Sequence, residues 1–248
     1  MDNYFHFIFD LLFPLNLLMK KISYDVVFAF KYIGVNTERL QNLFPGRIKI
    51  LDNEDEFKDI KKIDIIGMNP KWVHITNESA ENFKNDICNK FGIIQSCESK
   101  KVILIERVPL DTEFISKAVS KVGGSLRRSI INHYDLSLAI ESIVKPEYEF
   151  LNLQMEKISF SEQIQLFDSA AVMISQHGAA LANSLWMKPG SVLIELSNYK
   201  NRNHGYIICR AKEINYYLYK TDGQQAQIDI DHFLNWLVND IALNEYFG

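Results

Sequence analysis

The sequence predicts an α/β protein, and three observations carry that reading. Strand-length apolar runs alternate with stretches of helical periodicity over most of the chain, the pattern of parallel sheets with helical crossovers. One stretch, AVMISQHGAALANSLWMKPGSVLIEL (Ala171–Leu196), contains a β-α-β unit: an apolar run, a polar corner at Ser175–Gly178, a short helix-capable segment from Ala179 to Met187, a Pro-Gly break and a second apolar run. Neither run alternates with polar residues, as expected of neighbouring strands covered on both faces. Finally, 248 residues that are 47% hydrophobic can bury one large core or two smaller ones.

Composition narrows the function. A net charge of −4 argues against non-specific nucleic-acid binding, and no nucleic-acid partner is expected. Cys88, Cys97 and Cys209 form no C-x-x-C pattern, which points away from a disulfide framework or a zinc site and toward a reducing compartment. The apolar opening, FHFIFDLLFPLNLLM, is interrupted by His6, Asp10, Pro14 and Asn16, and no basic segment precedes it. It is also shorter than the roughly 20 residues that span a bilayer. It reads as a buried amphipathic helix, with no transmembrane segment, and the expected location is cytoplasmic.

In chain order, Asn3–Met19 is a helix that puts Phe5, Phe9, Leu12 and Asn16 on one stripe and His6, Asp10 and Phe13 on the next. His6 and Asp10 therefore stand one turn apart. A strand at Tyr24–Phe30, a short helix at Thr37–Leu43 and strands at Arg47–Leu51, Ile63–Gly67 and Lys71–Ile75 follow, with the acidic Asp52–Glu56 read as solvated. Asn77–Phe91 is a helix capped by Thr76 or Asn77, and the polar stretch Gly92–Lys100 marks a boundary. The second half opens with the strand KVILIER, ending at Glu106 and Arg107. Arg127 and Arg128 precede a helix, Asn132–Ile143, capped by Asn132. After a strand at Tyr148–Leu153, Ser159 and Glu162 form a capping box for the helix that leads into the β-α-β unit. Beyond Glu195 come a helix at Gly205–Lys212, a strand at Tyr216–Tyr219 and a last helix from Asp231.

The polar corner carries the chemistry. Gly178 lets the chain turn and approach a ligand, and the helix start behind it offers N–H groups to an anion. His177 and Glu195 fall at carboxyl ends of strands, where open α/β sheets bind ligands. As residues alone, each keeps two readings. His177 is either structural or a group that stabilises charge on a departing diphosphate. Asn183 either fixes the loop or bonds a ligand, and Glu195 is either a strand-end charge or an acceptor for a ribose diol. Arg127 and Arg128 are either solvated or a bidentate phosphate site. Asp229 and Asp231 precede the apolar-periodic FLNWLVNDIAL and read as helix-capping residues rather than metal ligands, so no metal is expected. Neither G-x-x-x-x-G-K-[ST] nor G-x-G-x-x-G occurs, and no G-x-S-x-G, which removes the ordinary ATPase, dehydrogenase and serine-hydrolase readings.

HGAALAN…MKPGSVLIEL and the opening NYFHFIFDLLFP resemble glycosyltransferase family 61, whose members have a comparable N-Y-[YF]-H-[WF]-x-x-D element followed by Pro. That family includes EGF-domain O-GlcNAc transferases, protein O-mannose N-acetylglucosaminyltransferases, plant xylosyl- and arabinosyltransferases and bacterial capsular polysaccharide proteins. RRSIIN (Arg127–Asn132) resembles its R-[RK]-x-[IL]-x-N stretch, and Arg107 corresponds to the arginine of its strand-end I-S-R pattern, with Glu106 in place of Ser. Trp186 stands where the family more often has Phe. The resemblance implies a GT-B-like arrangement of two facing Rossmann-like lobes: a shortened acceptor-side lobe, residues 1–96, and a donor-binding lobe, residues 97–248, with the terminal helix crossing back onto the first.

The implied reaction is inverting, metal-independent transfer of a hexose or pentose from a nucleotide diphosphate donor, a UDP-sugar, to a hydroxyl of a glycan or glycosylated acceptor, as in polysaccharide biosynthesis. The nucleotide-sugar is a substrate, and no cofactor is expected. The resemblance makes His6 and Asp10 the catalytic candidates and lines the donor site with Arg107, Arg127, Arg128, His177, Gly178, Asn183 and Glu195. An inactive relative that binds nucleotide-sugar or glycan, and another nucleotide-using α/β enzyme, remain as alternatives. The sugar, the linkage and any homo-oligomer are left open.

Overall fold

The apolar opening of the chain folds as one helical stretch from Tyr4 to Met19. Its apolar residues bury it: Phe7, Ile8, Leu12 and Leu15 have no exposed surface, while His6 stays open to solvent. The sequence predicts a regular helix, but Phe7–Leu12 is wound as a π-helix. Pro14 supplies the reason. It lacks the N–H that an α-helix would direct at the Asp10 carbonyl, and its ring crowds that carbonyl, so the turn before it widens.

The computed structural model describes residues 4–23, 25–29, 36–51, 75–107, 129–198, 204–223 and 225–248. These fall into two compact units, Met1–Gly92 and Ile93–Gly248. In the first, strands β1 (Val26–Ala29) and β2 (Ile48–Leu51) pair in parallel, joined by a connection that contains the helix Thr37–Leu43. Helix Asn77–Phe91 begins with a capping box between Thr76 and Ser79 and ends at Gly92, which takes the left-handed conformation at φ 63°. It packs on the opening helix through the Phe13 and Phe83 rings, 4.8 Å apart. Asn16 Nδ2 also donates to Asp86 at 2.8 Å. The strand expected at Ile63–Gly67 and all but the last residue of Lys71–Ile75 lie outside the described residues.

The second unit is a five-stranded parallel sheet: β3 (Lys101–Glu106), β4 (Glu149–Gln154), β5 (Ala170–Gln176), β6 (Val192–Ser197) and β7 (Asn215–Lys220). Their order is β4-β3-β5-β6-β7. From β3 the chain moves outward to β4, returns past β3 to β5, and then runs on through β6 and β7. The direction of winding therefore reverses between β3 and β5, and a crevice at such a reversal is where doubly wound sheets take ligands. Every residue of β5 and β6 is buried, as both-face coverage requires.

The register separates two faces. Val102, Leu104, Val172, Ile174, Val192 and Ile194 share one face, with Leu136 and Ile140 of helix His133–Ile143 packed on it. Phe233 and Leu237, from the last helix (Ile230–Asn235) and the π turn behind it, join that core. The terminal helix, expected to pass to the first lobe, is thus part of the second unit's core. The opposite face carries Ile103, Ile105, Met173, Ser175, Leu193, Glu195 and Ser197. The Phe160–Asp168 helix, with its predicted Ser159–Glu162 capping box, packs against the segment Ala179–Trp186, as does the helix His204–Lys212.

One predicted cap is corrected. Asn132 stands at the cap position of His133–Ile143 but makes no side-chain capping bond. Its Nδ2 instead donates to the Ile228 carbonyl at 2.8 Å and its Oδ1 accepts from the Ile228 N–H at 2.9 Å. A planar amide mimics a strand partner here, and two tertiary bonds outcompete one local cap.

Candidate active site

At the end of β5 the chain is still extended. His177 N–H donates to the Leu196 carbonyl, adding one rung to the β5–β6 ladder. Its side chain therefore emerges on the same face as Ser175 and Glu195. His177 Nδ1 lies 2.7 Å from Glu195 Oε1, and the Tyr216 hydroxyl of β7 donates to Glu195 Oε2 at 2.8 Å. The Glu195 side chain is wholly buried and that of His177 is 18% exposed. A carboxylate taken out of water must be paired and hydrogen-bonded, and the imidazole and the phenol together do this.

Of the two readings of Glu195, the exposed strand-end charge does not hold, because the side chain is wholly buried beside the histidine. Cys209 lies close behind it. Burial first, and the Glu195 charge second, push this thiol well up, against a smaller opposing effect of the Ser184 hydroxyl. It is a protonated packing residue, not a nucleophile.

Arg107, one residue past β3, reaches across the winding reversal, and its Nη1 donates to the His177 carbonyl at 2.7 Å. Gly178 makes that approach feasible. A Cβ at position 178 would sit 2.7 Å from Arg107 Nη1. The chain bends at His177 and Gly178, as the sequence predicts, although Gly178 itself has an extended backbone (φ 164°, ψ −167°) that any residue can adopt. The glycine serves close approach of a guanidinium. Behind it, Ala179–Trp186 is a 3-10 helix, not the start of an α-helix with a row of open N–H groups.

Asn183 is fully buried and donates to Gln163 Oε1 at 3.3 Å, with Met155 Sδ at 3.5 Å. Of its two readings, this geometry matches the one that fixes the loop. Trp186 is also fully buried, edge-on to Phe160 with centroids 6.0 Å apart. Beside Arg107, Glu106 accepts from Gln154 Nε2 at 2.6 Å. Arg127 and Arg128 lie outside the described residues. The fold therefore joins Arg107, His177, Gly178 and Glu195 in one cluster, with Asn183 packed apart from it.

In the first unit, His6 Nδ1 and Asp10 Oδ2 are 2.7 Å apart, with side chains 48% and 17% exposed. The pair straddles the start of the π-helix, a conformation that recurs at functional sites. Asp229 caps the last helix, accepting from the His232 N–H at 3.0 Å. Among the described residues, no three His, Cys, Asp or Glu side chains gather as a metal site, and no helix is long and apolar enough to cross a membrane.

Sequence reasoning missed Tyr216. Its phenol lies one strand away from Glu195, and the only signal for it was an aromatic residue at the start of a predicted strand.

A family model described as Glycosyltransferase 61 matches residues 4–194. Among curated relatives, protein O-linked-mannose beta-1,4-N-acetylglucosaminyltransferase 2 of Xenopus laevis is 29% identical over 92 residues, which are 37% of this chain and 16% of the relative. The protein of the same name from Takifugu rubripes is 32% identical over 72 residues, 29% of this chain and 12% of the relative. The matched stretch is thus a small part of either relative's length.

Proposed function

Since the chain belongs to glycosyltransferase family 61, we propose that it transfers a sugar from a nucleotide diphosphate donor, a UDP-sugar, to a hydroxyl of a glycan or glycosylated acceptor. The observation that carries this reading is the meeting of Arg107 and His177 where the winding of the sheet reverses, with the histidine ring backed by a buried carboxylate. The acceptor oxygen bonds to the anomeric carbon as the bond from that carbon to the diphosphate breaks, with inversion. Negative charge then grows on the leaving diphosphate, and preorganised donors offset it. Arg107 and His177 are the donors on the page, Glu195 orients the imidazole, and Arg127 and Arg128 are assigned to the same diphosphate.

The His6–Asp10 pair takes the acceptor proton, either group serving as base or as its orienting partner. The GT-B arrangement, with an acceptor-side first unit and a donor-side second unit, belongs to the same proposal, as does metal independence. A reducing, cytoplasmic setting is supported by three free cysteines.

The test is thermal unfolding with UDP, GDP, CMP, NAD and ATP, each with and without EDTA. A ligand at about 100 times its dissociation constant adds roughly 2.7 kcal/mol. Stabilisation by UDP that survives EDTA is the expected outcome. A folded protein that responds to none of them overturns the donor site. The relatives' name makes UDP-N-acetylglucosamine with a mannosyl acceptor the first transfer assay.

A further inference from the structure

We propose that Glu106 and Gln176 hold the ribose 2′,3′-diol of the donor nucleotide; the proposal rests on the donor-site reading above. Strands β3 and β4 stay paired as far as Glu106 and Gln154, but the pairing of β3 with β5 stops at Leu104 and Ile174. Beyond that point β3 and β5 part, with Glu106 and Arg107 on one bank of the gap and Gln176 and His177 on the other. The gap falls at the reversal of winding, where doubly wound sheets take ligands. Successive side chains of a strand point to opposite faces, so Glu106 and Gln176 stand on the face of Leu104 and Ile174, while His177 stands on the other. A nucleoside diphosphate laid across the strand ends puts its phosphates beside Arg107 and His177 and its ribose beside Glu106 and Gln176.

Both side chains have acceptor oxygens to offer. Glu106 Oε2 accepts from Gln154 Nε2 at 2.6 Å, and Oε1 has no hydrogen bond among the described residues. Gln176 is 3% exposed, and its buried Oε1 has no hydrogen-bond partner there either. Buried polar atoms are almost always bonded, so an orphan carbonyl at a crevice calls for a donor from outside the chain. Each oxygen of Glu195, the other carboxylate at these strand ends, already has a neighbour at hydrogen-bond distance, His177 or Tyr216. A carboxylate and an amide carbonyl on the two banks select the ligand by its donors. Ionised phosphate oxygens have no hydrogen to give and the uracil imide has one N–H, whereas a vicinal diol has two O–H groups.

The test is calorimetric titration of the full chain with UDP, 2′-deoxy-UDP and 3′-deoxy-UDP. The wild type is expected to bind UDP about thirtyfold more tightly than at least one of the analogues, the effect of a hydrogen bond to a charged acceptor. Glu106→Gln keeps the shape and the bond from Gln154, and should narrow that ratio to about threefold. Gln176→Met should weaken UDP binding about fivefold, while the unliganded variant unfolds at or above the wild-type temperature because an unpartnered buried carbonyl is gone. A glutamine that served only the fold would give the reverse. Glu149→Gln, at the amino end of β4 beside Lys101, should leave the ratio as it is.

UDP binding that does not distinguish the deoxy analogues, or does so equally well in Glu106→Gln, overturns the ribose site and leaves the donor-site reading standing. If Glu106→Gln instead erases the difference in affinity between UDP and UDP-N-acetylglucosamine, the diol held there is that of the sugar, and the ribose assignment is overturned as well. A folded chain that binds no UDP rejects the donor-site reading and this proposal with it.

Discussion

Two histidine–carboxylate pairs in this protein share one distance and differ in everything else. His6–Asp10 and His177–Glu195 both have Nδ1 2.7 Å from a carboxylate oxygen. The first joins residues four apart on one helix, with the imidazole nearly half exposed; the second joins residues 18 apart on two strands, with the carboxylate wholly buried. Solvent screens the first pair, so its ion pairing adds little to stability. The second lies in a low-dielectric interior, where losing the imidazole leaves the buried carboxylate less well compensated.

The largest expected effect comes from breaking the buried pair. His177→Ala leaves Glu195 without its imidazole and should cost about 3–5 kcal/mol, measured as a lower denaturant midpoint at unchanged slope. A loss below about 1 kcal/mol would make the two pairs equivalent and remove the contrast.

Asn132 and Ser159, both next to helix starts, extend the comparison. Asn132 makes two tertiary bonds to Ile228, and Asn132→Ala should cost about 2 kcal/mol by equilibrium unfolding because both Ile228 backbone groups lose a partner.

Gly178→Ala sharpens the view of the buried cluster. The new methyl displaces the Arg107 guanidinium from the His177 carbonyl. About 1–2 kcal/mol of stability should be lost with that charge-assisted bond, together with a weaker UDP-induced thermal shift. An unchanged shift would show that Arg107 does not meet the donor.

His6→Ala should change stability by less than about 1 kcal/mol while abolishing transfer. Full transfer activity in that variant would end the acceptor-side assignment.

The smallest effect concerns Glu162. Its bonds to the Ser159 hydroxyl and backbone N–H hold its carboxyl below the usual carboxylate range, against a lesser opposing effect of desolvation. A depressed folded value means that the stabilisation is complete above the unfolded value and fades as pH falls through the folded one. Acid unfolding of Ser159→Ala should therefore be less steep below the ordinary glutamate range than that of the wild type.

Legibility followed locality. The capping boxes Thr76–Ser79 and Ser159–Glu162 each lie within four consecutive residues, and both helix starts could be read from the chain. Asn132 carried the same cap signal and was misread, because its partner lies 96 residues away. Pro14 was visible, yet its widening of the helix at Asp10 depends on a backbone accommodation that side-chain periodicity does not encode. In the cluster around His177, residue types pointed to a ligand site and to the bend at Gly178, but the Arg107 guanidinium that Gly178 admits and the burial of Glu195 beside His177 depend on neighbouring strands.

What the sequence determined by itself was therefore the succession of elements, the parallel character of strands buried on both faces, the local caps and the His6–Asp10 spacing. Each depends on hydrogen bonds or burial patterns within a turn or a strand. Tertiary structure alone decided the strand order that sets Arg107 beside His177, and the register that sets Glu195 between His177 and Tyr216. Those contacts are made across strands, where a shift of one residue would turn every side chain to the other face.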